Sequence, residues 1–220
     1  MPVRKILPTR RSVAGRFPSF KTGRVHIYES TLERDYFYHL EFDDFVKDFD
    51  EQPFKIQYVN EKSEQTRYTP DVLIELSKAG QANYGVKHKL CEVKYEEDLV
   101  ADKKELQPRF DAAYAHAQKK GWIFEIVTDT TIRVPRLKVF TFLMDYLDTD
   151  KYDSLSAENF RVAKQLKKFN VEQFMNNIAG SKTQKLQSIG SLWHMVAKGE
   201  FTIDLDKEVD ESTIISIKHE

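Results

Sequence analysis

RYTPDVLIEL, running from Arg67 to Leu76, and KLCEVKY, from Lys89 to Tyr95, decide how this chain folds. Two short apolar runs, Val72-Leu73-Ile74 and Leu90-Cys91, flank a polar loop that contains Gly80 and Gly85. That is the pattern of two adjacent strands of a hairpin. Asp71 opens the first strand, directly after Pro70, while Glu92 and Lys94 stand on the second. Residues two apart in a strand point to the same face, so Glu92 and Lys94 share one, and pairing brings Asp71 beside them. Two carboxylates and an ammonium at a strand end suit a hard divalent cation and a phosphodiester.

Hydrolysis of a phosphodiester needs a water in line with phosphorus, neutralisation of the developing charge and stabilisation of the leaving oxygen, which metal ions largely supply. Mg²⁺ takes oxygen ligands and usually only a few carboxylates. Asp71 and Glu92 are candidate ligands, and the backbone carbonyl of Val93 is a third. Lys94 is suited to orient or deprotonate the attacking water, or to stabilise the pentacoordinate phosphate. Pro-Asp alone and Glu-x-Lys alone carry little information. About twenty residues apart on successive strands they carry more, against the competing reading of a solvated hairpin face with a Glu92–Lys94 salt bridge.

The surrounding chain supplies a context. With 220 residues, 40% apolar and 31% charged, it is an ordinary globular sequence of one large or two small domains. It has no apolar run of membrane length and no secretory signal pattern. The lone Cys91 allows no internal disulfide and reads as a small buried hydrophobe, consistent with a cytoplasmic setting. Net charge is -1, but residues 1–24 hold seven lysines and arginines and no acid. This basic N-terminal arm makes Arg10, Arg11, Arg16, Lys21 and Arg24 candidates for DNA phosphate contacts, against the alternative of a solvated terminus. The six histidines show no zinc spacing.

Ser30 and Glu33 mark a helix start, with Leu32, Tyr36 and Leu40 on its apolar face. On local grounds Glu33 belongs to the capping box. Glu41, near the helix end, opposes the macrodipole and calls for a partner. Phe45 to Phe49 reads as a connection, 54–59 as a strand and 60–67 as a polar turn. Ala101 to Lys120 is a helical pattern with a break expected at Pro108 and Gly121 as its C-cap. Trp122–Val127 reads as a strand, which makes an α/β core with a mixed sheet. Past Arg136, helices over 139–147, 157–169, 171–178 and 183–198 precede two strands. Leu186, Ile189, Leu192 (or Trp193) and Val196 are expected on the inner face of the last helix. This is the pattern of a winged helix-turn-helix. The expected domains are therefore the arm 1–24, an α/β domain 25–136 and a mainly helical domain 137–220.

The order Pro-Asp, spacer, Glu-x-Lys resembles the PD-(D/E)xK nuclease pattern. Leu32-Glu33-Arg34-Asp35-Tyr36, Leu40-Glu41-Phe42-Asp43, Glu51-Gln52-Pro53, Tyr68-Thr69-Pro70-Asp71, Cys91-Glu92-Val93-Lys94, Gly121-Trp122-Ile123-Phe124 and Thr128-Asp129 to Ile132-Arg133 together resemble the TnsA family, the endonuclease subunits of heteromeric transposases. The resemblance implies a restriction-endonuclease-like core and Mg²⁺-dependent cleavage (Mn²⁺ substituting) of the 5′, non-transferred strands of double-stranded DNA at transposon ends. It implies a DDE-type, TnsB-like transposase and an ATP-dependent, TnsC-like regulator as partners, and work on the nucleoid. It also implies catalytic roles for Asp71, Glu92 and Lys94, with Glu33 completing the metal site. The stretch Ala79–Lys89 is long for the family. A non-catalytic assembly module and a stand-alone restriction-like nuclease are the competing readings.

Overall fold

The computed structural model describes residues 13–148 and 156–218. These form two compact units that part between Arg133 and Val134.

In the first unit the hairpin forms as its pattern requires. Strand β6 (Val72–Leu76) pairs antiparallel with β7 (His88–Lys94), in a register that sets Val72 opposite Cys91 and Leu73 opposite Leu90. β8 (Ile123–Thr128) adds in parallel on the far side of β7, and β3 (Val46–Glu51) adds antiparallel beside β6. The result is a mixed four-stranded sheet ordered β3-β6-β7-β8. Segment 45–49, expected as a connection, is thus largely edge strand; its alternation is interrupted by a register shift between Val46 and Asp48.

The two faces of this sheet are covered by different elements. Helix α1 (Thr31–Phe42) packs on one side, where its Tyr36 hydroxyl lies 3.5 Å from the Cys91 sulfur. Cys91 is fully buried, and burial pushes its thiol up to about 12, so it remains an inert apolar filler. On the other side Leu90 and Leu73 pack with Ile56, Tyr68 and Ala113. Those partners come from a separate two-stranded ribbon, β4 (Ile56–Val59) with β5 (Gln65–Tyr68), and from helix α4 (Lys103–Lys120). Most of the expected turn 60–67 is therefore shorter than read, because Gln65–Arg67 are strand residues.

Between β6 and β7 the polar loop holds helix α2 (Lys78–Tyr84), capped by the Ser77 hydroxyl and closed by Gly85 in the left-handed region. A short helix α3 (Glu96–Ala101) leads into α4. Helix α4 runs through Pro108 without the expected break. The carbonyl that loses its donor belongs to exposed Lys104, where solvent can serve it. Gly121 caps the helix at φ 70°, and helix α5 (Asp129–Ile132) follows β8.

The N-terminal region is not an extended arm throughout. β1 (Gly15–Pro18) and β2 (Val25–Tyr28) form an antiparallel ribbon. Phe17 is buried against Phe37 and Tyr38. Glu41 finds the partner its position called for: it accepts hydrogen bonds from the Ser19 hydroxyl (2.6 Å) and the Lys21 amide (2.7 Å). His26 is buried and stacks on Phe49, with Thr22 Oγ1 on one ring nitrogen and Glu51 on the other.

The second unit contains helices α6 (Arg136–Met144), α7 (Ser156–Leu166), α8 (Val171–Asn177) and α9 (Lys182–Ala197). β9 (Lys168–Phe169), β10 (Phe201–Thr202) and β11 (Ile215–Ile217) form a three-stranded antiparallel sheet in the order β10-β11-β9. Leu192, Trp193 and Val196 of α9 are buried, but Leu186 is 56% exposed, contrary to its expected inward place. Most residues of 182–187 in α9 are exposed, whereas residues 191–196 are all buried.

Candidate active site

The hairpin register carries Asp71, Glu92 and Lys94 to one end of β6 and β7, on the face that also bears Leu73 and Leu90. Asp71 Oδ2 accepts the Val93 amide at 2.8 Å and lies 3.4 Å from Lys94 Nζ. Glu92 Oε1 is 2.7 Å from the same ammonium, which also donates to the Val93 carbonyl at 3.1 Å. Lys94 is thereby surrounded by the three oxygen donors expected from the sequence.

The electrostatics follow from burial. Glu92 is 3% exposed. Burial first, and then the neighbouring Asp71 carboxylate, raise its pKa to about 7, although Lys94 opposes the shift. Asp71 is also raised by burial, against the pull of Lys94 and the Val93 amide. Burial works against the Lys94 ammonium, but Asp71 and Glu92 outweigh it and hold the lysine protonated. This is a tight ion cluster, in which removing either carboxylate would leave a poorly compensated buried charge.

The donor set fits a hard divalent cation. It offers two carboxylates and a carbonyl oxygen, the hard oxygen ligands such an ion takes. Glu33 is placed differently. Its Oε1 accepts the Ser30 hydroxyl at 2.8 Å and its Oε2 the Glu29 amide at 2.9 Å, while the Glu33 amide donates to Ser30 Oγ at 3.1 Å. Both carboxylate oxygens thus serve the start of α1. Helix α1 covers the Cys91 face, opposite the face that carries the other acids, so Glu33 approaches Asp71 across the strand end. It is near enough for Asp71 to raise its pKa, although burial is the larger cause. Among the described residues, no three His, Cys, Asp or Glu side chains gather closely enough to hold a metal on their own.

The expected DNA contacts divide. Arg10 and Arg11 lie outside the described residues. Arg16 is exposed on β1. Lys21 Nζ donates to the carbonyls of Asp43 and Val46, and Arg24 bonds Asp48 (2.6 Å), Asp50 (2.9 Å) and the Phe49 carbonyl (2.8 Å). The last two cations therefore tie the β1–β2 ribbon to β3 and its approach, a duty no charge count reveals.

Two residues beside the site escaped the sequence reading. The Tyr68 hydroxyl is buried near Glu92, and burial followed by the Glu92 and Asp71 charges raises its pKa far above the usual phenol value. Arg109 of α4 donates from Nε to the Tyr58 hydroxyl at 3.1 Å and bears electrostatically on both Tyr68 and Glu92. Tyr68 sits three residues before Asp71, so its nearness in sequence was a signal. For Arg109 there was none without the packing of α4.

The model of the TnsA-like endonuclease N-terminal domain matches residues 43–129. That stretch of the chain is similar to TnsA-like endonuclease domains. The matched segment includes Asp71, Glu92, Val93 and Lys94 but begins after Glu33. No curated protein matches the chain. The mixed sheet with helices on both faces agrees with the restriction-endonuclease-like core expected for a TnsA-like domain. No helix among the described residues is long and apolar enough to cross a membrane.

Proposed function

We propose that the TnsA-like domain hydrolyses DNA phosphodiester bonds with the aid of Mg²⁺, Mn²⁺ serving as a substitute, and does so at the ends of a transposable element. One observation carries the reading: Asp71, Glu92 and the Val93 carbonyl converge on Lys94 at one strand end of a TnsA-like endonuclease domain. Asp71, Glu92 and the Val93 carbonyl would hold the metal, with Glu33 closing the shell if it leaves its cap. When bound, the cation supplies Lewis-acid activation of a water and neutralises charge on the phosphate.

The chain's own residues do the remaining work. The Val93 amide fixes the Asp71 carboxylate, which keeps one oxygen turned toward the strand end. Lys94, held protonated by its two acids, orients the attacking water and stabilises the charge that builds on phosphorus. Its role as a positive group does not require it to lose a proton.

The finer reading follows the TnsA likeness. The cleaved strand is the 5′, non-transferred strand of double-stranded DNA, while a TnsB-like DDE transposase processes the 3′ ends and an ATP-dependent TnsC-like regulator joins the assembly. For the second unit, the order from α7 onward of helix, strand, helix, helix, strand, strand and the sheet order β10-β11-β9 support a winged helix. The segment 203–214 between β10 and β11 carries five acids against one lysine. That charge disfavours a phosphate contact by this loop and favours a protein partner.

The test is strand-specific cleavage of end DNA with the partner proteins and Mg²⁺ present. Asp71→Ala should lower 5′-strand cleavage by at least about 10²-fold and leave assembly with the partners intact. Normal cleavage with impaired assembly would instead support a non-catalytic module.

A further inference from the structure

We infer that Tyr68 is a positioning residue for Glu92, its hydroxyl donating to Glu92 Oε2 so that Oε1 is held toward Lys94 and the metal position. The role rests on the nuclease reading above; the contact does not. Tyr68 OH and Glu92 Oε2 are both buried and neither has a hydrogen-bond partner among the described residues, and Tyr68 packs on Leu90, which shares its face of β7 with Glu92. A buried carboxylate oxygen and a buried hydroxyl that both lack a partner are each costly to leave so, and a bond between the two relieves both at once. The hydroxyl is the donor and the carboxylate oxygen the acceptor.

The surroundings fix this geometry. Tyr68 is 8% exposed and packs with Ile56, Leu90 and Ala113, so the ring cannot swing away. Tyr58, on the paired strand, meets the Tyr68 ring edge-on at 6.2 Å, and Arg109 donates to the Tyr58 hydroxyl. Helix α4 therefore braces the ribbon that delivers Tyr68. The other oxygen of Glu92 already engages Lys94 at 2.7 Å. A carboxylate bonded at both ends has one orientation, and residues that orient metal ligands in this way typically matter about 10–100-fold to metal affinity or activity.

Two measurements on the full chain test the inference. The first needs no metal: urea midpoints of the wild type, Tyr68→Phe, Glu92→Met and the double variant. Tyr68→Phe should lower the midpoint in the wild-type background and leave it unchanged beside Glu92→Met. Equal shifts in both backgrounds would overturn the contact. The second is Mn²⁺ titration of the DNA-free protein followed by its magnetic resonance signal. Tyr68→Phe should bind Mn²⁺ about tenfold more weakly or worse, whereas Tyr58→Phe, which removes a hydroxyl that meets Arg109 rather than Glu92, should bind it as the wild type does. Wild-type affinity in Tyr68→Phe would overturn the positioning role even if the first measurement upholds the contact. A wild-type chain that binds no Mn²⁺ would overturn the metal site itself, and the urea comparison would still decide the contact.

Discussion

Glu92 has one oxygen on the Lys94 ammonium and the other buried without a hydrogen-bond partner. Its pKa of about 7 makes the proton a competitor of the metal. Below that value a bound cation must displace the proton, so Mn²⁺ affinity should fall about tenfold per pH unit on acidification and level off above neutrality. Titrations across the range 5.5 to 8.5 check this. The sign for the metal-free fold is the reverse. The folded chain binds more protons at Glu92 than the unfolded chain does, so its contribution to stability declines as pH rises from the ordinary glutamate range toward about 7. Glu33 calls for a separate comparison. Glu33→Gln keeps one acceptor oxygen for the Glu29 amide, offers its NH2 to Ser30 Oγ and removes the charge, so it should keep most of the stability and lower cleavage about tenfold or more. Unchanged cleavage would confine Glu33 to its cap. Asp71, Glu92 and Lys94 were legible because a strand alternates its faces with period two. Tyr68 was signalled only by its place three residues before Asp71, and Arg109 not at all, since its approach depends on a helix that no local pattern joins to the hairpin.

At the scale of elements, charge was the least readable property. A run of basic residues reads as a nucleic-acid arm, yet Lys21 and Arg24 are consumed by carbonyls and carboxylates around β3. Arg24→Ala should therefore cost about 0.5–1 kcal/mol, since its ion pairs are solvent-exposed. It should leave the salt slope of DNA binding unchanged, as filter binding at several ionic strengths would show. A slope lower by about one would return Arg24 to the DNA. Apolar periodicity served better. It located α1, α4, β6, β7 and β8 to within a few residues. It failed at β3, which is heavily charged and broken by a register shift, at β5, whose four residues are mostly polar, and at α2, whose seven residues have little apolar pattern to display. At Leu186 helical spacing pointed inward, but the side chain is 56% exposed, and in that part of α9 the buried residue is Ser188.

At the scale of the molecule, each unit has its own core and one of the chain's two tryptophans. Trp122 packs against Phe54, His88 and His116 in the first unit, and Trp193 is buried against Phe142 in the second. Single-tryptophan variants, Trp193→Phe and Trp122→Phe, therefore report the units separately. Mn²⁺ at about 100 times its Kd should stabilise the Trp122 unit by about 2.7 kcal/mol and leave the Trp193 transition in place. A shift of both transitions by the same amount would show the two units unfolding as one. The two-unit division was visible in the change from mixed strands and helices to mostly helices past residue 136. The site, in contrast, belongs wholly to the first unit. The most direct test of its chemistry is the anomalous scattering of Mn²⁺ in a crystal of the chain with transposon-end DNA. The account predicts a peak bonded to Asp71, Glu92 and the Val93 carbonyl, with a phosphate oxygen of the 5′ strand in its shell and Lys94 turned toward that phosphate. A peak elsewhere, with Asp71 and Glu92 still closed on Lys94, would contradict it.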